Sequence, residues 1–231
     1  MTPASPRRRA PAVLTTLIAA AALAANTACE GPAAIAYLIT GEDKNPALYD
    51  LDPDAPTLIW VEDDQAKFSE PNAGRTIAAV AGQQLVDQNA LDQEPIDPAT
   101  IGQVQSRYDK AQWRRMNLGE IARAANAQQL VYARVASVSA GATAGIARPQ
   151  ALLEVRVVDA ATGRTLFPEP VPGRPNDEQG HTVVVKMDAA YEPGAGRATQ
   201  SMIEAKLAQE AGVVLARVFH DWRPPVVDEA F

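Results

Sequence analysis

The chain of 231 residues contains one cysteine, Cys29, and two histidines, His181 and His220. A lone cysteine excludes a disulfide within the chain, a thiolate zinc site and a resolving pair for thiol redox chemistry. The histidines stand far apart, in no His-x-x-x-His or His-Glu spacing that would set two ligands on one helix face, so both are expected at or near the surface. Gly-x-Ser-x-Gly, Ser-x-x-Lys and a Walker loop are absent, which removes the common nucleophile and phosphate-cradling motifs. Gly194-Ala195-Gly196 has two glycines and no adjacent lysine, and reads as the lead-in to a helix rather than an anion cradle. Aromatic residues make up only 5% of the chain. The longest apolar run, from Ala10 to Ala25, is too short and too rich in alanine to be read as a membrane span.

That run reads instead as the centre of an export signal. Arg7, Arg8 and Arg9 form a basic start, the apolar run follows, and the small residues Thr27 and Ala28 precede Cys29. This spacing resembles the lipobox of bacterial lipoproteins, whose signal is cut before a cysteine that becomes acylated. The resemblance implies lipidation (palmitate) at Cys29 and a bacterial cell-envelope location. Because Glu30 is not the Asp associated with inner-membrane retention, it also favours the periplasmic face of the outer membrane. Asn26 stands where the lipobox has Leu, and the rival reading is an ordinary cut, such as one after Ala24, giving a secreted soluble protein without lipidation.

Removing Arg7, Arg8 and Arg9 with the signal leaves 18 basic against 28 acidic residues, so a formal charge of −7 becomes −10. Such a balance argues against nucleic acid and against attraction to anionic lipid heads, both of which need clustered Lys and Arg. Residues 29–231 suffice for one sizeable core. The expected organisation is a signal at 1–28, a lipid anchor and linker at 29–56, one domain at 57–223 and a tail at 224–231. Ala33 to Ile39 is a short apolar run, read as a first packed helix or a segment lying on the membrane. Residues 41–56, rich in Asp, Asn and Pro, read as a linker or an extended lead-in.

The domain opens with Thr57-Leu58-Ile59-Trp60-Val61, a continuous apolar strand suited to a sheet covered on both faces. A helix capped by Ser69 or Asn72 is expected to run to about Gln88, burying Ile77, Val80, Ala81 and Leu85. Asp97-Pro98 starts a second helix with Ile101, Val104 and Tyr108 at helical spacing. Asn117, with Glu120 three residues on, forms a capping box for a third, burying Leu118, Ile121, Ala122 and Ala125. Leu130–Ser137 and Leu152–Val158 are strands, with Leu153, Val155 and Val157 facing one way and Glu154 and Arg156 the other. A small-residue loop, 139–149, joins them. Asp159-Ala160-Ala161-Thr162-Gly163 turns the chain into Thr165-Leu166-Phe167 as a hairpin. A Pro-rich connection, 168–180, leads to the strand His181–Met187. A final amphipathic helix from about Ala198 to Asp221 carries Met202, Ile203, Leu207, Ala211, Val214, Leu215, Val218 and Phe219 on one face. The class is therefore α/β or α+β: a mixed sheet packed with helices, a long C-terminal amphipathic helix and an N-terminal signal segment.

Asn117 to Val135, a helix containing Leu-Gly-Glu-Ile-Ala followed by Leu130-Val131-Tyr132-Ala133-Arg134-Val135, and Leu153 to Phe167, a strand, an Asp-x-x-Thr-Gly turn and a strand, together resemble one family. It comprises envelope lipoproteins of the curli-secretion type, lipoprotein activators of penicillin-binding proteins and the amino-terminal domain of the Tol-system periplasmic protein. With the last helix, the likeness spans about half the chain after the signal. It implies a non-catalytic envelope domain that works through contacts with another protein, with no cofactor.

Three further features bear on chemistry. Glu62-Asp63-Asp64 ends the first strand, where open α/β sheets commonly bind ligands. It resembles the acidic pair of a phosphorylation receiver domain, but no Asp ends the 130–137 run to complete that set. The alternative function is accordingly a divalent-metal-dependent enzyme or binding protein using Glu62, Asp63 and Asp64, set against a solvated acidic loop. Trp113-Arg114-Arg115 is a basic and aromatic spot of the kind enriched in protein interfaces, set against an interhelix turn with Trp113 packed inward. The tail from Trp222 to Val227 is read as a partner ligand or a frayed terminus.

Overall fold

The computed structural model describes residues 44–139, 142–143, 146–147, 149–170, 180–187 and 197–224. Cys29, the signal, the 33–39 run, the Gly194-Ala195-Gly196 segment and the tail beyond residue 224 lie outside the described residues. The chain divides into two units, Pro46–Trp222 and the two ends, Met1–Asn45 with Arg223–Phe231. Only the first is described further. No helix among the described residues is long and apolar enough to cross a membrane.

The unit Pro46–Trp222 is an α/β fold around one mixed sheet. In chain order it comprises β1 (Thr57–Glu62), α1 (Ala73–Asp87), α2 (Thr100–Gln105), α3 (Lys110–Trp113), α4 (Leu118–Ala124) and β2 (Gln129–Ser139). The small hairpin β3 (Ala142–Thr143) and β4 (Ile146–Ala147) follows, then β5 (Gln150–Asp159), β6 (Thr165–Phe167), β7 (His181–Lys186) and α5 (Arg197–Ala216). Strand β1 pairs in parallel with β2, β2 is antiparallel to β5, and β6 and β7 share the far edge of β5. The free edge of β1 is bridged at Leu58 by Ile96.

Two apolar clusters cover the sheet unequally. On the first face, Ile59, Val131, Leu153, Val155 and Val185 meet Ile77 and Leu85 of α1 and Leu207, Ala211 and Leu215 of α5. On the second face, Leu58, Leu130 and Val158 form one cross-strand row beneath Ile101 and Val104 of α2 and Ile121 and Ala122 of α4. Both faces of β1 are thus covered, which accounts for its unbroken apolar sequence. Further along the second face, Arg134, Thr182, Val184 and Lys186 are exposed, Val184 by 46%.

Local chemistry explains the element ends. The Asn117 side chain accepts from the Glu120 amide at 2.9 Å while Glu120 accepts from the Asn117 amide at 2.8 Å, the reciprocal cap expected from sequence. Asp109 and Gln112 repeat the device at the short α3. Asp159 accepts from the Thr162 amide and hydroxyl, both at 2.6 Å, and Gly163 takes φ +70 to close the β5–β6 turn. Those Thr162 donors, the hydroxyl first, hold the Asp159 carboxyl below its ordinary range.

Several expectations are corrected in detail. Of the two readings of residues 41–56, the described part from 46 follows the extended lead-in rather than a linker: Leu51 and Ala55 are buried, and the Leu48 and Tyr49 amides donate to the Val218 carbonyl. Buried Gln129 reaches the Asp52 carbonyl and the Thr57 hydroxyl, each at 2.7 Å, tying this lead-in to the start of the sheet. Helix α2 stops at Gln105, leaving Tyr108 37% exposed. Asn72 precedes α1 without capping it through its side chain. The loop 139–149 holds the β3–β4 hairpin. Helix α5 ends at Ala216, and Val218 and Phe219 are buried from the turn beyond it. Met202, expected on its apolar face, is 66% exposed, while Glu204 is 4% exposed. The buried stripe follows 203, 207, 211, 215 and 204, 208, 212, 216, so residue 202 falls one position outside it.

Candidate functional site

The parallel register of β1 and β2 sets Trp60 opposite Tyr132, and the antiparallel register sets Tyr132 opposite Arg156. This row lies at the margin of the second cluster: Tyr132 is buried within it, at 5% exposure, and Trp60 and Trp113 pack half-buried against it. The Trp60 and Tyr132 rings meet edge to face at 5.2 Å, and the Arg156 guanidinium lies over Tyr132 at 5.1 Å from its centre. From α3, Trp113 leans against Trp60 with ring centres 6.1 Å apart. The next row is Glu62, Arg134, Glu154 and Thr182, in which Arg134 and Glu154 pair at 2.6 Å. That carboxylate raises the Arg134 pKa further above its ordinary value.

Of the three acids only Glu62 belongs to β1, as its last residue, and Asp63 and Asp64 lie in the turn beyond it. Glu62 turns to the second face and accepts from the Tyr132 hydroxyl at 2.5 Å. Burial of the phenol, then this bond and the neighbouring carboxylate charge, push the Tyr132 pKa well above its ordinary value. Asp63 turns back into its own loop and accepts from the Lys67 amide at 2.8 Å and the Phe68 amide at 2.9 Å, bracing a turn in which Ala66 takes φ 48. Asp64 is exposed. Among the described residues no three His, Cys, Asp or Glu side chains gather as a metal-holding group. Glu62, Asp63 and Asp64 do not form one metal-holding group among the described residues, because Glu62 is engaged by the Tyr132 hydroxyl and Asp63 by the Lys67 and Phe68 amides.

What these residues do share is a cavity of about 410 Å³ at the carboxyl end of β1, walled by Trp60 and Trp113, by Glu62 and Asp64, and by Arg75 at the start of α1. Gly74 permits this arrangement: a Cβ there would lie 2.6 Å from the Val61 carbonyl oxygen, so only glycine lets α1 start so close to the strand. Asp64 acts on Arg134 of the neighbouring row through its charge, without a direct ion pair.

The structure divides the Trp113-Arg114-Arg115 spot. Trp113 is half-buried against Trp60 and lines the β1 cavity, so it is packed inward and still part of a concave surface. Arg115 lines a separate, broader groove of about 660 Å³ with Tyr108, Met116 and Arg123, and Arg114 is exposed outside both. The histidines are both half-buried and apart from the cavity, His181 against the Phe167 ring and His220 against the Asp221 carbonyl. Sequence reasoning missed Trp60, Tyr132, Arg156 and Arg75 as site residues. The first three appeared only as strand residues, and strand pairing assembles them.

No family model and no curated protein matches the chain. Among solved structures it is similar to the PelC dodecamer from Paraburkholderia phytofirmans, at 12% identity and a TM-score of 0.39, with 77% of this chain covering 96% of that one. It is also similar to Lipoprotein GNA1162 from Neisseria meningitidis, at 9% identity and a TM-score of 0.37, with 67% of this chain covering 92% of that one. Likeness of this degree assigns neither a family nor a role.

Proposed function

We propose that this chain is a non-catalytic, lipid-anchored envelope protein that binds another envelope protein through the second face of its sheet. The observation that carries the binding reading is the half-covered sheet. Trp60, Trp113, Arg134 and Arg156, residue types that dominate protein interfaces, are half-buried or exposed around buried Tyr132, and Val184 is exposed two rows further along the same face. The non-catalytic reading is supported by how the carboxylates are used, Glu62 on a tyrosine hydroxyl and Asp63 on backbone amides. The anchor rests on Arg7–Arg9, the apolar run and Cys29 in the sequence. Acidic charge over the rest of the chain agrees with attachment by lipid rather than by attraction to anionic membranes.

Mild cross-linking in membranes, followed by detergent extraction of the full-length protein and mass spectrometry, tests this reading. The expected result is one envelope protein at comparable abundance, lost when Val184 is replaced by Glu or Arg156 by Glu. Recovery of the same proteins with the wild type and both variants would count against the sheet face as the binding surface.

A further inference from the structure

We propose that the cavity at the carboxyl end of β1 receives a basic side chain, arginine or lysine, of the partner protein. Its charged head would lie between the rings of Trp60 and Trp113 and the carboxylates of Asp64 and Glu62. This deepens the protein-binding reading and rests on it.

The aromatic row already holds one guanidinium. Arg156 stacks on Tyr132, Tyr132 meets Trp60 edge to face, and Trp60 meets Trp113. The row therefore runs from a stacked cation at the β5 end to two tryptophans lining a cavity at the β1 end. Tryptophan is the ring that attracts a cation most strongly, and a partly desolvated cavity strengthens the attraction. Charge complementarity points the same way. Asp64 is exposed on the wall, within electrostatic reach of Arg134 but not in direct contact with it, and Glu62 commits one oxygen, Oε2, to Tyr132. About 410 Å³ is more than one side chain fills, so the residues flanking the basic one would enter the mouth.

Arg75 on the α1 side opposes a cation. That opposition makes the proposal sharp, because removing either charge has the opposite effect on affinity. An anion-binding cavity would respond in the reverse sense at both positions.

The test is a tryptophan-fluorescence titration of full-length detergent-solubilised protein with a blocked tetra-arginine peptide, beside tetra-glutamate at the same ionic strength. A saturable change with tetra-arginine alone is expected, weakened about tenfold by Asp64→Asn and tightened severalfold by Arg75→Gln, the scale of one charge-assisted contact. Trp113→Phe, which keeps a ring against Trp60, should reduce the signal and weaken binding. Absence of a saturable change, or affinity indifferent to Asp64→Asn and Arg75→Gln, overturns the proposal. If that happens while the cross-linked partner persists, only the cavity assignment falls. If tetra-arginine binds as stated and no partner is captured, the protein-partner reading falls and the preference for basic groups stands.

Discussion

Gly119 of helix α4 lies backbone to backbone against Gly163 of the β5–β6 turn: a Cβ on Gly119 would sit 2.6 Å from the Gly163 Cα. Arg123, one turn further along α4, donates to the Ala160 and Ala161 carbonyls of the same turn. The helix and the Asp-x-x-Thr-Gly hairpin, which are separate stretches of sequence, are thus two sides of one contact.

Gly119→Ala should cost about 2 kcal/mol or more, because backbone on both sides must move, a strain comparable to overpacking a core. Gly102→Ala is the control. It lies inside helix α2 with nothing within 4 Å of the added methyl, and should be neutral or stabilising by about 0.5–1 kcal/mol. Urea unfolding of both variants checks the pair, and equal shifts in midpoint would refute the contact.

The bond from Tyr132 to Glu62 predicts a loss of stability in alkali. The folded-state pKa of Tyr132 is raised by burial first and then by the Glu62 bond. Its contribution is fully present below the unfolded tyrosine value of 10.0 and is lost as pH rises above it. Tyr49, raised by burial and then by Asp159, adds in the same direction. Tyr132→Phe should lower stability at neutral pH by about 1 kcal/mol and flatten the decline above pH 10. A decline of unchanged steepness in the variant would show that other groups cause it.

Glu204, 4% exposed on α5, is held by neutral donors: the Ser69 amide at 2.7 Å, the Ser69 hydroxyl at 3.1 Å and the Gln200 amide at 3.1 Å. Ser69→Ala removes one donor from a buried carboxylate and should cost about 1–3 kcal/mol. Thermal melts at neutral pH read this directly, and a melting temperature equal to the wild type would mean that the hydroxyl contributes nothing.

Cys29→Ser should shift the protein from the membrane pellet to the soluble envelope fraction, since acyl chains supply the anchoring energy in the proposed function. Unchanged sedimentation with membranes would dismiss the lipid anchor.

Much of the fold was legible because its signals are local. Alternation in Leu153, Val155 and Val157 marked the buried side of β5, and the Asn117–Glu120 cap marked the start of α4. The errors arose where tertiary packing overrides pattern. Hydrophobic Met202 lies one position off the buried stripe, and Glu204 takes a place inside it because Ser69 supplies donors from a distant loop. The candidate site was only half legible for a related reason. Glu62, Asp64 and Trp113 were visible as unusual residues, but their meeting beside Trp60 depends on the β1–β2 register and on Gly74 admitting α1.

The parallel pairing of β1 with β2 also has a kinetic consequence. Thr57 and Gln129, joined at the start of the two strands, are 72 residues apart, so this pairing closes a long loop, while β5 and β6 meet across a tight turn. Loop-closure entropy makes the antiparallel β2–β5–β6 portion the cheaper nucleus and leaves β1 to dock afterwards. Helix α1 gains its full cover only when α5, the last element among the described residues, packs beside it. A chain emerging amino terminus first therefore keeps the apolar faces of β1 and α1 exposed until α5 has emerged, the interval in which a holdase chaperone would have most to protect.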